Sequence, residues 1–204
     1  MVSGIILASG FSKRMRQEKL LLPVKNIPLI ERVIRAAKQS FLHEIILIYQ
    51  NEQVKEIGDR YRIKTVPNHE AAEGQSAAVK LGTQSAQPDV RAFMFLVGDQ
   101  PYLSAAIINR LITVWRNNHD SIVAPVYNGR QGNPVIFPAQ LKDRLLALQG
   151  DAGGRAVMET MRGRVITVAV RSSLMGIDID TPEEYGHMSA HAGAVPVKGE
   201  RLMP

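Results

Sequence analysis

Lys13, Arg14, Arg16 and Lys19 crowd into a short segment that begins with the small residues Ala8, Ser9, Gly10 and Ser12. Small residues let backbone N–H groups come close to an anion, and the cations neutralise it. The segment follows Val2–Leu7, an apolar run that predicts a buried first strand. A cationic loop at the carboxyl end of a first strand suits a nucleoside triphosphate. It also has a plainer account, as a basic, solvated turn. Neither G-x-x-x-x-G-K-[ST] nor G-x-G-x-x-G occurs, so a P-loop ATPase and a dinucleotide fingerprint are not indicated.

Carboxylates supply the second chemical element. Asp99 follows a buried apolar run in the turn Gly98-Asp99-Gln100-Pro101, and Asp180 precedes a helix start at Thr181-Pro182. Two carboxylates on separate loops of one sheet edge could hold Mg²⁺, which takes a few carboxylates together with waters and phosphate oxygens. Asp99 is equally a turn former and Asp180 a helix cap. Asp178 alternates with Asp180 across Ile179 and reads as a structural or supporting residue. Asn68 and the helix start Gly74-Gln75-Ser76 offer an amide for a base or ribose edge and N–H groups for a phosphate, or an ordinary loop and cap. Gly150-Asp151-Ala152-Gly153-Gly154-Arg155 is an anion-receiving turn or a helix junction.

Other chemistries find little support. Cysteine is absent, which removes disulfides, thiolate metal sites and a cysteine nucleophile. No G-x-S-x-G elbow appears. The five histidines form no catalytic pair, and the i,i+4 spacing of His187 and His191 falls in an aperiodic end.

The elements that must position these residues alternate between strand and helix. Strands are predicted at Ile45–Tyr49, Ile63–Val66, Ala92–Val97, Ser121–Pro125 and Val165–Val170. Helices are predicted at Leu29–Gln39, Gln53–Tyr61, Gly74–Ala86, from the Ser104 cap to Trp115, and over 139–161 around a glycine break. Residues 126–138 read as loop and short strand. Apolar strands in such alternation predict a mostly parallel α/β sheet with helices on both faces, a Rossmann-like arrangement whose ligands lie outside the carboxyl ends of the strands.

The 204 residues, 45% hydrophobic and 5% aromatic, fit one domain over 1–185 with a flexible tail at 186–204. The net charge of +6 favours anionic partners. Its scattered distribution points to phosphorylated small molecules, with no nucleic acid partner. No apolar run is long enough to cross a membrane and no leader is evident, so a cytoplasmic protein is expected.

Together these motifs resemble the MobA-like NTP transferases, and within them the MocA-type molybdenum cofactor cytidylyltransferases. The family pattern L-A-x-G-x-S-x-R-M-G-x-x-K-L-L-L-P matches Leu7 to Pro23, with Arg16 in place of its last glycine. The likeness continues through Asn68, Gly74-Gln75-Ser76, Gly98-Asp99-Gln100-Pro101, Gln131-Gly132-Asn133-Pro134, Gly150-Asp151-x-Gly153-x-Arg155 and Asp178-Ile-Asp180-Thr-Pro-Glu-Glu-Tyr185. The resemblance implies a Rossmann-like nucleotidyltransferase that moves CMP from CTP to the terminal phosphate of molybdopterin and releases pyrophosphate. It implies that Leu7, Ala8, Ser9 and Gly10 contact the base, that Arg14 and Lys19 bind the triphosphate, and that Asn68 holds the nucleoside. Gly74 and Ser76 complete the nucleotide site, and Asp99 with Asp180 holds Mg²⁺, with Mn²⁺ as an alternative. It further implies Arg14, Lys19 and Asp99 as the catalytic groups and a transient contact with a molybdenum hydroxylase or its insertion chaperone. Guanylyl-transferring relatives resemble L-A-G-G and cytidylyl ones L-A-A-G; Ser9 matches neither, while Gly-Asp-Gln-Pro and Asp180 lean to the cytidylyl side. A guanylyltransferase of the same family and a non-catalytic molybdenum cofactor carrier are the competing accounts.

Overall fold

In the computed structural model, the structure describes residues 1–11, 15, 18–179 and 181–191, with backbone alone for 173, 174 and 187–191. The chain opens with β1 (Val2–Ala8), a short 3₁₀ turn at Lys19–Leu21, the hairpin β2 (Pro23–Val24) and β3 (Ile27–Pro28), and α1 (Leu29–Lys38). There follow β4 (Glu44–Tyr49), α2 (Glu52–Arg60), β5 (Lys64–Pro67), α3 (Gln75–Ser85), β6 (Ala92–Val97) and α4 (Ala105–Arg116). The second half contains β7 (Ile122–Tyr127), β8 (Arg130–Gln131), β9 (Val135–Pro138), α5 (Lys142–Leu146), α6 (Gly154–Thr160), β10 (Val165–Val170) and α7 (Pro182–His191).

The eight-stranded sheet runs β10-β7-β9-β6-β1-β4-β5, with β8 paired to β7. β6, β1, β4 and β5 are mutually parallel. β9 is antiparallel to both of its neighbours, β6 and β7. This is the expected mostly parallel α/β sheet, with antiparallel β9 inserted between two of its strands. The segment 126–138, read from sequence as loop and short strand, contains a fully buried interior strand, Val135–Pro138. Three apolar residues between prolines carry too little periodicity to place a strand in the sheet, and β6 and β7 give them their partners.

Alternation along the strands separates two cores. Ile6, Leu47, Met94 and Leu96 face α1, α2 and α4, whose Ile30, Val33, Ile34, Ile57, Ile108 and Leu111 complete one cluster. Ile5, Ile46, Ile48, Phe93 and Phe95 face α3, α5 and α6 through Val79, Leu145, Val157 and Met158. Helix starts follow their capping chemistry. Asn51 Oδ1 accepts from Gln53 N at 2.8 Å, and Ser104 Oγ accepts from Ile107 N at 3.4 Å.

A third, small cluster of Val24, Leu29 and Ile179 ties the β2–β3 hairpin to the α7 region. The hairpin turn places Lys25 and Asn26 at φ 51° and 62°, the paired left-handed geometry of a two-residue turn. Thr181 and Glu184 form a reciprocal capping box at the start of α7, with Thr181 N donating to Glu184 Oε2 at 2.9 Å and Glu184 N donating to Thr181 Oγ1 at 3.2 Å. The helix continues to His191, past the boundary drawn at 185; residues 192–204 lie outside the described residues.

Two features set the rigidity of this frame. Glu31, on α1, is 8% exposed, and its Oε1 accepts from Arg35 at 2.6 Å and from the Tyr61 hydroxyl at 2.8 Å. Burial, the largest single influence, would raise its pKa. The hydrogen bonds from Tyr61 and Arg35 together outweigh it and hold Glu31 below the ordinary carboxylate value. Gly74, ahead of α3, has φ +99° and ψ −172°, a region open essentially to glycine. A Cβ there would lie 2.5 Å from the backbone of Gly150, and Ser76 N donates to Gly150 O at 3.0 Å.

A depressed carboxylate contributes stability that is fully present above its unfolded pKa and lost as pH falls through the folded value. Thermal unfolding of Glu31→Gln is therefore expected to show a loss of about 1–2 kcal/mol at pH 7. That gap to the wild type should narrow below pH 4.5, the unfolded value; a gap constant with pH would rule out the charge as its source. Gly74→Ala, combining backbone strain with a backbone collision, is expected to cost about 2 kcal/mol or more. Gly129→Ala, at φ +79° with open space around the new methyl, should cost about 1 kcal/mol. Denaturant titration of both variants compares them.

Candidate active site

The chain leaves β1 toward β4 and leaves β6 toward the β9–β7 side, so the loops after these neighbouring parallel strands diverge. The crevice between such loops is where open α/β sheets take ligands. Leu7 stands in register with Val97, and Gly98 N donates to Leu7 O at 3.1 Å. Gly98 fits this approach because a Cβ would stand 3.0 Å from Ile30 and 3.3 Å from Leu7 O.

A cavity of about 450 Å³ opens there. The segment Leu7–Phe11 forms part of its wall, Lys19 and Asp99 another part, and Gly74, Gln75 and Asp151 the rest. A second cavity of about 550 Å³ shares Leu7, Gln75, Val97 and Asp151 with the first. It continues past Gln131–Asn133, Arg155 and Asp178. The two form one groove with a narrow shared wall. Gln75 begins α3, so the positive end of that helix faces the groove.

Lys19 Nζ donates to Asp99 Oδ2 at 2.6 Å, and the two side chains are 14% and 16% exposed. Asp99 Oδ1 is buried and, among the described residues, accepts no hydrogen bond. A carboxylate oxygen in that state suits a hard divalent cation, which prefers oxygen ligands and needs few from the protein when phosphates supply others. Among the described residues no cluster of three or more acidic or histidine side chains gathers around a common point; Asp99 and Asp151 are the carboxylates that line the first cavity.

Of the residues singled out from sequence, Leu7, Ala8, Ser9, Gly10, Lys19, Gly74 and Asp99 line the first cavity. Arg14 and Asp180 lie outside the described residues. Asn68 and Ser76 sit behind the wall, 5% and 1% exposed. Asn68 donates from Nδ2 to Ser9 Oγ at 2.8 Å and accepts at Oδ1 from Glu70 N at 3.2 Å. The Ser76 N–H, expected to face a phosphate, instead holds Gly150 O.

Gln75 and Asp151, at the waist between the two cavities, lie in motifs read from sequence but carried no role of their own there. Their signal was the pair of glycine-rich helix starts, whose contact with each other is tertiary. Asp178 reaches the second cavity because buried Ile179 anchors the segment, with Ile179 N donating to Asp99 O at 3.3 Å. Tyr127 OH donates to Asn133 O at 2.9 Å and braces the same cavity. Burial pushes the Tyr127 hydroxyl pKa up strongly, and the Asp178 charge pushes it further, so it stays a neutral donor.

Comparison with known proteins agrees with this geometry. The Purine catabolism protein PucB of Bacillus subtilis (strain 168) is 28% identical over 193 residues, covering 89% of this chain and 93% of the relative. The Molybdenum cofactor cytidylyltransferase of Escherichia coli (strain K12) is 26% identical over 188 residues, covering 90% and 93%. Among solved structures, Rv0371C of Mycobacterium tuberculosis H37Rv in complex with manganese superposes with a TM-score of 0.79 at 22% identity, covering 93% of this chain and 98% of that one. This likeness establishes the shared α/β fold. The model of the MobA-like NTP transferase domain matches residues 4–165, and the chain belongs to that family of nucleotidyltransferases.

Proposed function

We propose that the protein transfers CMP from CTP to the terminal phosphate of molybdopterin, in the manner of a molybdenum cofactor cytidylyltransferase. The observation that carries this reading is the Lys19–Asp99 pair, set in a nucleotide-sized cavity that opens into a second one across Gln75 and Asp151. The name of the Escherichia coli relative supports the acceptor and the nucleotide. Gly98-Asp99-Gln100-Pro101 and the Asp178-Ile179-Asp180 segment lean the same way.

In this reading the first cavity holds the nucleotide, with its base against Leu7–Gly10, and the second holds the acceptor. An acceptor phosphate oxygen attacks the α-phosphorus in line, the bond from that phosphorus to the bridging oxygen breaks, and pyrophosphate leaves. No covalent enzyme intermediate is required, because positioning and charge neutralisation carry most of such a transfer. Lys19, fixed by Asp99, brings its ammonium to the phosphates without reorganising, and Arg14 adds a second cation. Asp99 and Asp180 would hold Mg²⁺, which supplies neutralisation of phosphate charge when bound. The shared wall of the groove brings the two substrates end to end and leaves their far ends in separate pockets.

Pyrophosphate release with CTP or GTP, Mg²⁺ and molybdopterin tests the reading. Turnover with CTP is expected, with GTP slower. Lys19→Ala and Asp99→Asn should each lower kcat about 100-fold or more, while melting temperature shifts by a few degrees. Preference for GTP would overturn the cytidylyl assignment, and full turnover in either variant would remove that residue from the machinery. Binding of molybdopterin without pyrophosphate release would make the protein a carrier.

A further inference from the structure

Ser9 and Asn68 form a buried pair whose polarity is dictated by the fold. Asn68 N donates to Tyr49 O at 2.7 Å, which seats the residue beside the end of β4. Its side-chain Oδ1 accepts from Glu70 N at 3.2 Å. Only the amide oxygen can accept from a backbone N–H, so the amide nitrogen must be the atom facing Ser9, at 2.8 Å from Oγ. An amide nitrogen only donates. The Ser9 oxygen therefore accepts, and its own proton must be placed elsewhere. Among the described residues no group accepts that proton. Ser9 lines the first cavity, and it is 7% exposed against 5% for Asn68, so bulk water competes little for the pair.

We propose that Asn68 fixes Ser9 as a hydrogen-bond donor aimed at the nucleotide base, so that the pair reads an acceptor edge and selects pyrimidine over guanine. Asn68 is a positioning residue here, since it stays behind the cavity wall. The inference rests on the nucleotide-binding reading above. Cytosine carries two acceptors on its pairing edge, O2 and N3. Guanine carries there the N1–H and 2-amino donors beside a single acceptor, O6. A donor that cannot rotate away meets the first edge productively and stands donor to donor against the second. A freely rotating serine would serve both, so the discrimination comes from the hydrogen bond behind it.

The polarity can be reversed without changing the serine. The carboxylate of Asn68→Asp can still accept from Glu70 N, but it can no longer donate to Ser9. The Ser9 hydroxyl then gives its proton inward and shows the cavity a lone pair, which suits donor edges. The experiment is calorimetric binding of CTP and of GTP, each with Mg²⁺ and without acceptor, to the wild type, Ser9→Ala, Asn68→Asp and the double variant, with melting temperatures in parallel.

The wild type is expected to favour CTP, and Ser9→Ala to lose about tenfold in CTP affinity with less effect on GTP. Asn68→Asp should move the ratio of the two affinities toward GTP by about tenfold or more. The double variant should show no shift beyond Ser9→Ala, because no hydroxyl remains to reverse. Equal weakening of both nucleotides by Asn68→Asp, or a shift that persists in the double variant, overturns the proposal. Should Asn68→Asp fail to fold, Asn68→Ala frees the hydroxyl and must narrow the CTP to GTP ratio; an unchanged ratio overturns the proposal. A wild type that prefers GTP, with a ratio still moved by Asn68→Asp through Ser9, overturns the cytidylyl reading and sustains the fixed donor. A wild type that binds neither nucleotide overturns both.

Discussion

A lysine and an aspartate eighty positions apart in the chain meet at 2.6 Å, and the arrangement of the groove depends on that contact. Neither side chain is more than 16% exposed, and bringing two charges that far out of water is unfavourable unless their geometry is well held. What holds it is the parallel pairing of β1 with β6. Register brings Leu7 beside Val97, and the Gly98 N–H locks onto Leu7 O, so the loops that carry Lys19 and Asp99 start side by side. Within the pair one carboxylate oxygen balances the Lys19 ammonium, while the other is buried with no hydrogen-bond partner among the described residues.

The sheet separates mechanical from chemical work. Two aliphatic cores, one on each face, leave the carboxyl edge as the place where polar groups can gather without being enclosed. The third cluster, built from Val24, Leu29 and Ile179, extends this rigidity to the segment carrying Asp178. Within the groove the bracing groups are neutral and hydrogen-bonded to the protein: the Tyr127 hydroxyl on Asn133 O, the Asn68 amide between Ser9 and Glu70, the Ser76 N–H on Gly150 O. Buried polar networks with every member paired specify one arrangement, whereas partly paired ones destabilise it. The ionisable groups Lys19, Asp99, Asp151, Arg155, Glu159 and Asp178 are left to line the cavities. Charge is thus kept where a ligand can meet it, and neutral hydrogen bonds keep the walls in place.

Much of this was legible in the residues themselves. Ala92–Val97 and Val165–Val170 are strands with the limits their apolar runs suggest, and Ser104 caps its helix as its type and place require. These features are decided within a few residues by propensity, periodicity and capping. So too was the cationic first loop and the likeness of its motifs to the family, since motif spacing is itself local. A short strand within 126–138 was legible, but the interior, antiparallel place of Val135–Pro138 was not, because only β6 and β7 on either side assign it. The waist residues Gln75 and Asp151 were hidden for a similar reason. Each belongs to a turn with an ordinary local explanation, and only the approach of Gly74 to Gly150 makes the two turns one wall.

The sequence by itself therefore determined the class of fold, the alternation of its main strands and helices and the chemical kinds of residue carried by the loops. The tertiary structure decided which of those residues touch: that Lys19 answers Asp99, that Asn68 lies behind Ser9 with its nitrogen forward, and that Ser76 holds a carbonyl. The physical reason is one of range. Helix and strand preference depend on neighbours along the chain, whereas the direction of a hydrogen bond between residues fifty-nine positions apart depends on the register of β1, β4 and β5 across the sheet.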